Sequence, residues 1–152
     1  MSAPERWFED YRPGLVVTGG PVTVGEAEIL DFARRYDPQP MHTDPAAALA
    51  GQFGGLIASG WHTAALTMRL VATNFLSPAS GLASPGIDEL RWLKPVRPGD
   101  ALSLRATVVE ARPSHSKPDQ GVVRSLCEIL NQHGELVMTL KPVSIIRRRP
   151  SA

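Results

Sequence analysis

The segment Tyr36-Asp37-Pro38-Gln39-Pro40-Met41-His42-Thr43-Asp44 sets a carboxylate and an imidazole five residues apart, with two prolines between them. Proline fixes φ, so a loop built this way loses less conformational entropy when it holds one shape. An Asp and a His held together can share one water molecule. Free imidazole titrates at about 6.5, so such a pair can take up or release a proton at neutral pH. Read alone, the same residues also fit a carboxylate that caps a turn and a buried histidine satisfied by the core. Both readings stay open at this point.

A second segment, Phe53-Gly54-Gly55-Leu56-Ile57-Ala58-Ser59-Gly60-Trp61, leads into an apolar helix. Its glycines let backbone approach a ligand where a Cβ would obstruct it. The first amides of a helix lack intrahelical acceptors and carry partial positive charge, which suits an oxygen on which negative charge is building. Close packing of a helix on a sheet would use the same glycines, and that alternative also stands.

The elements that must carry these segments follow from periodicity. Leu15–Thr18 reads as a first strand closed by Gly19, Gly20 and Pro21. Thr23 with Glu26 reads as a capping box, followed by Ile29, Phe32, Ala33 and Tyr36 on one helical face. Pro38 and Pro40 stop that helix near Asp37. Asp44-Pro45 starts a short alanine-rich helix that ends at Gly51.

From Gly60 to Thr73 the chain predicts a helix about 21 Å long at ~1.5 Å per residue, so apolar all round that burial is expected. Beyond Pro85 the period changes to two. Leu102, Leu104, Ala106 and Val108 share one face; so do Val123, Cys127 and Ile129, and Leu136, Met138 and Leu140. Gly134 makes a tight hairpin between the last two runs. One strand, small helices, a buried helix and about four antiparallel strands predict an α+β hot-dog fold, with an antiparallel sheet wrapped around one long helix.

The 152 residues suit one domain spanning 1–152. Hydrophobic residues make up 43% and charged residues 20%, with a net charge of +1, which gives no electrostatic reason to expect nucleic acid as a partner. No apolar run approaches a membrane span, and Met1–Tyr11 lacks an apolar signal core, so a cytoplasmic protein is expected. Cys127 is the only cysteine, which excludes an internal disulfide, and its apolar setting predicts a buried thiol. No ligand set for a metal or redox cofactor is apparent. His62 sits near the helix start, where ligand contact and core packing both fit. His115 falls in a polar loop and His133 in a hairpin, while Arg147, Arg148 and Arg149 form a basic stretch with the right chemistry for phosphate.

Taken with Leu93-Lys94-Pro95-Val96-Arg97-Pro98-Gly99-Asp100 and Asn131-Gln132-His133-Gly134-Glu135, the two segments resemble the MaoC-like hydratases, the (R)-specific enoyl-CoA hydratase family. That family's signature is D-x-N-P-x-H-x-D, then a Phe-Gly loop and an Ile-Ala-His-Gly-Met-type helix start. The resemblance implies that Asp37 and His42 are the catalytic pair and that the backbone at Gly60, Ser59 and Gly55 binds the thioester oxygen. Gln39, Met41 and Trp61 would line the substrate pocket. It implies reversible hydration of a trans-2-enoyl thioester, carried by CoA or a carrier protein, without a cofactor, in a homodimer or an assembly of dimers. Gln39 stands for the family's Asn, Ser59 for its His, Trp61 for a smaller apolar residue, and Ala65 for a serine that orders the dyad. Two other functions suit a hot-dog chain: an acyl-CoA thioesterase and a non-catalytic subunit that binds acyl thioesters.

Overall fold

The computed structural model describes residues 4–151. A 3-10 turn at Phe8–Asp10 precedes β1 (Val16–Thr23), α1 (Glu26–Tyr36), α2 (Pro40–Thr43), α3 (Pro45–Ala50) and α4 (Gly60–Asn74). The chain then runs through β2 (Gly81–Trp92), β3 (Ala101–Pro113), β4 (Gln120–Leu130) and β5 (Leu136–Arg147). The five strands form one antiparallel sheet in the order β1-β3-β4-β5-β2, and α4 packs against β1 and β3. This is the hot-dog arrangement.

Strand alternation sets the core. Leu102, Leu104, Ala106 and Val108 of β3 are buried in register with β4, where Ala106 pairs with Cys127. Cys127 pairs in turn with Leu140 of β5. Burial pushes the Cys127 thiol up to about 11, so it remains a protonated core group. Ile29 and Ala33 of α1 close the core from the helical side, while Tyr36 on the same predicted face is 69% exposed. Among the described residues, no helix is long and apolar enough to cross a membrane.

Three expectations need correction. First, β1 does not end at the Gly19-Gly20-Pro21 run but passes through it, with an irregularity between Gly19 and Val22. Gly20 has φ +97°, and a Cβ there would lie 2.8 Å from the Leu102 carbonyl oxygen, so glycine accommodates a bulge after which pairing resumes at Val22. Second, Thr23 does not cap α1. It is the last residue of β1, paired with Ala101, and Gly25 occupies the cap position without a side-chain bond.

Third, α4 is buried on one face only. His62, Thr63, Leu66, Thr67, Leu70 and Val71 are covered, whereas Trp61 is 60% and Met68 52% exposed. The sheet covers one side of the helix. Strand β2, at the sheet edge, stands off the other side across an apolar cavity of about 510 Å³.

The far end of α4 is fixed by Phe75, which is fully buried and meets the Tyr11 ring edge-on at 5.2 Å. The Tyr11 hydroxyl donates to the Phe75 carbonyl at 2.6 Å. Phe75→Ala should therefore cost about 3–5 kcal/mol of stability. Urea unfolding should give a lower midpoint at unchanged slope; a loss under about 1 kcal/mol would mean that this end of α4 is not anchored there.

Candidate functional site

Asp37 is delivered by the end of α1. Its amide donates to the Ala33 carbonyl at 2.9 Å, and Pro38 prevents another helical turn. The chain then makes α2, a single helical turn opened by Pro40, where the sequence suggests only a stiff loop. This turn carries His42 inward, to 4% exposure. Backbone pairing of the Ile57 amide with the Met41 carbonyl, at 3.2 Å, ties the turn to the segment before α4.

The two side chains meet: His42 Nε2 lies 3.4 Å from Asp37 Oδ2. His42 Nδ1 lies 2.8 Å from the Ile57 carbonyl oxygen. A carbonyl only accepts, so Nδ1 carries the proton in the neutral ring and Nε2 presents a lone pair. Asp37 Oδ1 accepts from Gln39 Nε2 at 2.6 Å, and Oδ2 accepts from the Ser59 hydroxyl at 2.6 Å. Burial pushes the Asp37 carboxyl up, but the Ser59 and Gln39 donors and the adjacent His42 outweigh it and leave the group below its usual range. Asp37 Oδ2, held as the ion, and the Nε2 lone pair of a neutral His42 ring lie 3.4 Å apart and can accept from one shared donor.

Ser59 caps α4. Its hydroxyl accepts from the Trp61 amide at 3.2 Å, and its carbonyl accepts from the amides of His62 at 3.0 Å and Thr63 at 3.1 Å. Of the first four amides of α4, the Gly60 N–H alone has no acceptor among the described residues. The indole of Trp92 lies over Gly60 and donates from Nε1 to the Gly60 carbonyl at 2.8 Å; a Cβ on residue 60 would come within 2.5 Å of that ring.

Asp37 and His42 open onto a cleft of about 420 Å³ whose walls include Gln39, Met41, Phe53, Gly60, Trp61 and Trp92. Two candidates fall outside it. Ser59 is fully buried with its hydroxyl engaged, so it touches Asp37 and not a ligand. Gly55 lies in the preceding turn beside the Arg97 guanidinium and does not line the cleft. His62 turns away toward α1, where it stacks on Phe32 at 4.7 Å and approaches Glu28 Oε1 at 3.0 Å. The basic stretch is partly occupied as well, since Arg148 pairs with Glu9 and Arg149 with Asp10. Trp92 is absent from the sequence-derived candidates, because a lone aromatic at a strand end carries no local signal of what it covers. Among the described residues, no three of His, Cys, Asp and Glu come together in a way that could hold a metal.

Residues 12–127 match the family of the MaoC-like domain. The chain belongs to that family. The crystal structure of a MaoC-like dehydratase from Rhodospirillum rubrum is 40% identical, covers 97% of this chain and 100% of its own, and superposes with a TM-score of 0.90. Mesaconyl-CoA hydratase of Cereibacter sphaeroides is 31% identical over 150 residues. That match takes in 97% of this chain but 43% of the hydratase, so the chain spans under half of that enzyme. The 3-hydroxyacyl-thioester dehydratase Z of Mycobacterium tuberculosis is 31% identical over 110 residues, 71% of this chain and 73% of that protein. These named MaoC-like relatives are hydratases and dehydratases.

The depressed Asp37 carboxyl has a thermodynamic consequence. Its ion contributes stability above the unfolded carboxylate value of about 3.9, and that contribution is lost as pH falls through the lower folded value. Asp37→Asn keeps the shape and cannot ionise. The stability of the wild type relative to this variant should therefore shrink between about pH 7 and about pH 3, as read by urea unfolding. A difference independent of pH would mean that Ser59 and Gln39 do not favour the ion.

Proposed function

We propose that this protein hydrates trans-2-enoyl thioesters reversibly to 3-hydroxyacyl thioesters, with Asp37 and His42 as the catalytic dyad. The observation that carries this reading is a single cleft lined by two acceptors 3.4 Å apart and by Gly60, whose helix-start amide is unclaimed. Hydration needs those parts: a held water, and a donor for the oxygen that becomes negative. The dehydratase and hydratase names of the MaoC-like relatives support the same chemistry.

In the mechanism we infer, the thioester carbonyl accepts a hydrogen bond from the Gly60 amide, which draws electron density from the conjugated double bond and leaves C3 electrophilic. A water donating to Asp37 Oδ2 and His42 Nε2 turns a lone pair toward C3. As the C3–O bond forms, one water proton passes to the dyad. The C2–C3 π pair moves onto the thioester as an enolate. The enolate then collapses and takes a proton at C2 from the dyad, so that water is added in full and the protein returns to its starting state. We take the substrate to be a CoA or carrier-protein thioester in the cytoplasm. We take the working form to be a homodimer in which a second copy covers the outward face of α4 and strand β2.

Trp61 lines both the reaction cleft and the 510 Å³ apolar cavity, and it is the one residue shared by the two linings. It meets Trp92 edge-on at 5.2 Å and so stands between the spaces. We infer that it ends the acyl site and selects short chains.

The test is a panel of trans-2-enoyl-CoAs of rising length, followed by loss of conjugated-thioester absorbance with a parallel thiol assay. Loss of conjugation without thiol release supports hydration. Asp37→Asn and His42→Gln should each lower kcat by roughly 10²–10⁴. Thiol release would mean thioester hydrolysis, and inactivity across the panel would leave a binding role. On the same panel, Trp61→Ala should raise the rate on long chains relative to short ones by roughly tenfold. An unchanged ranking would exclude Trp61 as the limit.

A further inference from the structure

Ser59 has no exposed surface, and its hydroxyl both donates and accepts a hydrogen bond. A hydroxyl has one hydrogen and two lone pairs. The hydrogen goes to Asp37 Oδ2 at 2.6 Å, a length typical of a charge-assisted O–H···O⁻ bond, and one lone pair accepts the Trp61 amide at 3.2 Å. Amide, hydroxyl and carboxylate thus form a chain in which each bond polarises the next. The backbone of the same residue takes two further amides of α4, leaving the Gly60 N–H beside it unclaimed. One residue therefore touches the carboxylate directly and fixes the free amide through the peptide bond that joins it to Gly60.

We propose that Ser59 is a positioning residue that holds the Asp37 carboxylate in fixed register with the Gly60 amide, so that water and thioester oxygen meet at the right separation. The alternative is that Ser59 serves the helix alone as a cap. The two roles separate because they use different parts of the hydroxyl. Capping uses its lone pair, and glycine at a cap costs only a few tenths of a kcal/mol where alanine costs about 1. Positioning uses its hydrogen, which glycine and alanine lack equally. The inference rests on the hydratase reading for its kinetic consequence, but not for its effect on the carboxylate.

The experiment compares wild type with Ser59→Ala and Ser59→Gly in two measurements. The first follows the Asp37 carboxyl by 13C NMR through a pH titration, which needs no turnover. A lost donor to the charged form should move its midpoint to higher pH, by the same amount in both variants. The second is hydration of the best wild-type enoyl-CoA. There kcat should fall by roughly tenfold to a hundredfold in both, with KM within about twofold, since register matters in the transition state and not in binding. An unmoved Asp37 titration in folded variants would overturn the proposal. So would a kcat that survives in Ser59→Gly and falls in Ser59→Ala in step with stability. A wild type that titrates as expected but hydrates nothing would sink the hydratase reading and leave the Ser59–Asp37 contact standing.

Discussion

The hydrogen bond from Ser59 to Asp37 joins the end of one helix to the start of another, 22 residues along the chain, and the other cleft groups are placed relative to that junction. The hydroxyl could not easily be buried without its partner, since an unpaired buried hydroxyl costs about 1–3 kcal/mol. Pro38 and Pro40 bring the carboxylate to this point, and the sheet packing of α4 brings the hydroxyl. The imidazole is then oriented from behind by the Ile57 carbonyl, on the same segment that leads to Ser59. Hence the dyad and the helix start do not move independently: shifting residues 57–60 displaces an imidazole partner, a carboxylate partner and a free amide together.

The period-two runs were legible where burial alternates as the residue types do, along β4 and from Ala101 to Val108 of β3, whereas in β5 Val137 is buried beside Met138 and Ser144 beside Val143. The end of α1 and the pairing of Asp37 with His42 were also legible, since proline acts locally and the spacing is short. Three features depended on distant partners. The continuation of β1 past Gly20 depends on β3 being there to pair with it. The exposure of half of α4 depends on where β2 lies, and no window on the helix contains that information. Ser59 stood among the thioester-binding positions implied by the resemblance, but its hydrogen goes to a residue that only the fold brings near.

The one-sided covering of α4 divides the labour along a single helix. Its inward face, with Leu66, Leu70 and Val71, supplies core. Its first residues supply the donor and the capped start. Its outward face, with Trp61 and Met68, remains available for an acyl chain or a second copy. Changes on the outward face therefore cost folding little, whereas changes on the inward face cost it more.

The edge-on contact between Trp61 and Trp92 has an optical consequence. The chain has three tryptophans, and two of them line the cleft beside Asp37 and His42 with an interplanar angle of 81°. Two indoles this close couple their electronic transitions, so the pair gives a circular-dichroism couplet whose sign and size depend on ring separation and tilt. A ligand that reorients Trp61 against Trp92 changes that couplet. The unmodified protein thus carries its own chromophore pair at the place where occupancy matters, and a ligand that leaves no chemical product can still be detected by its optical activity.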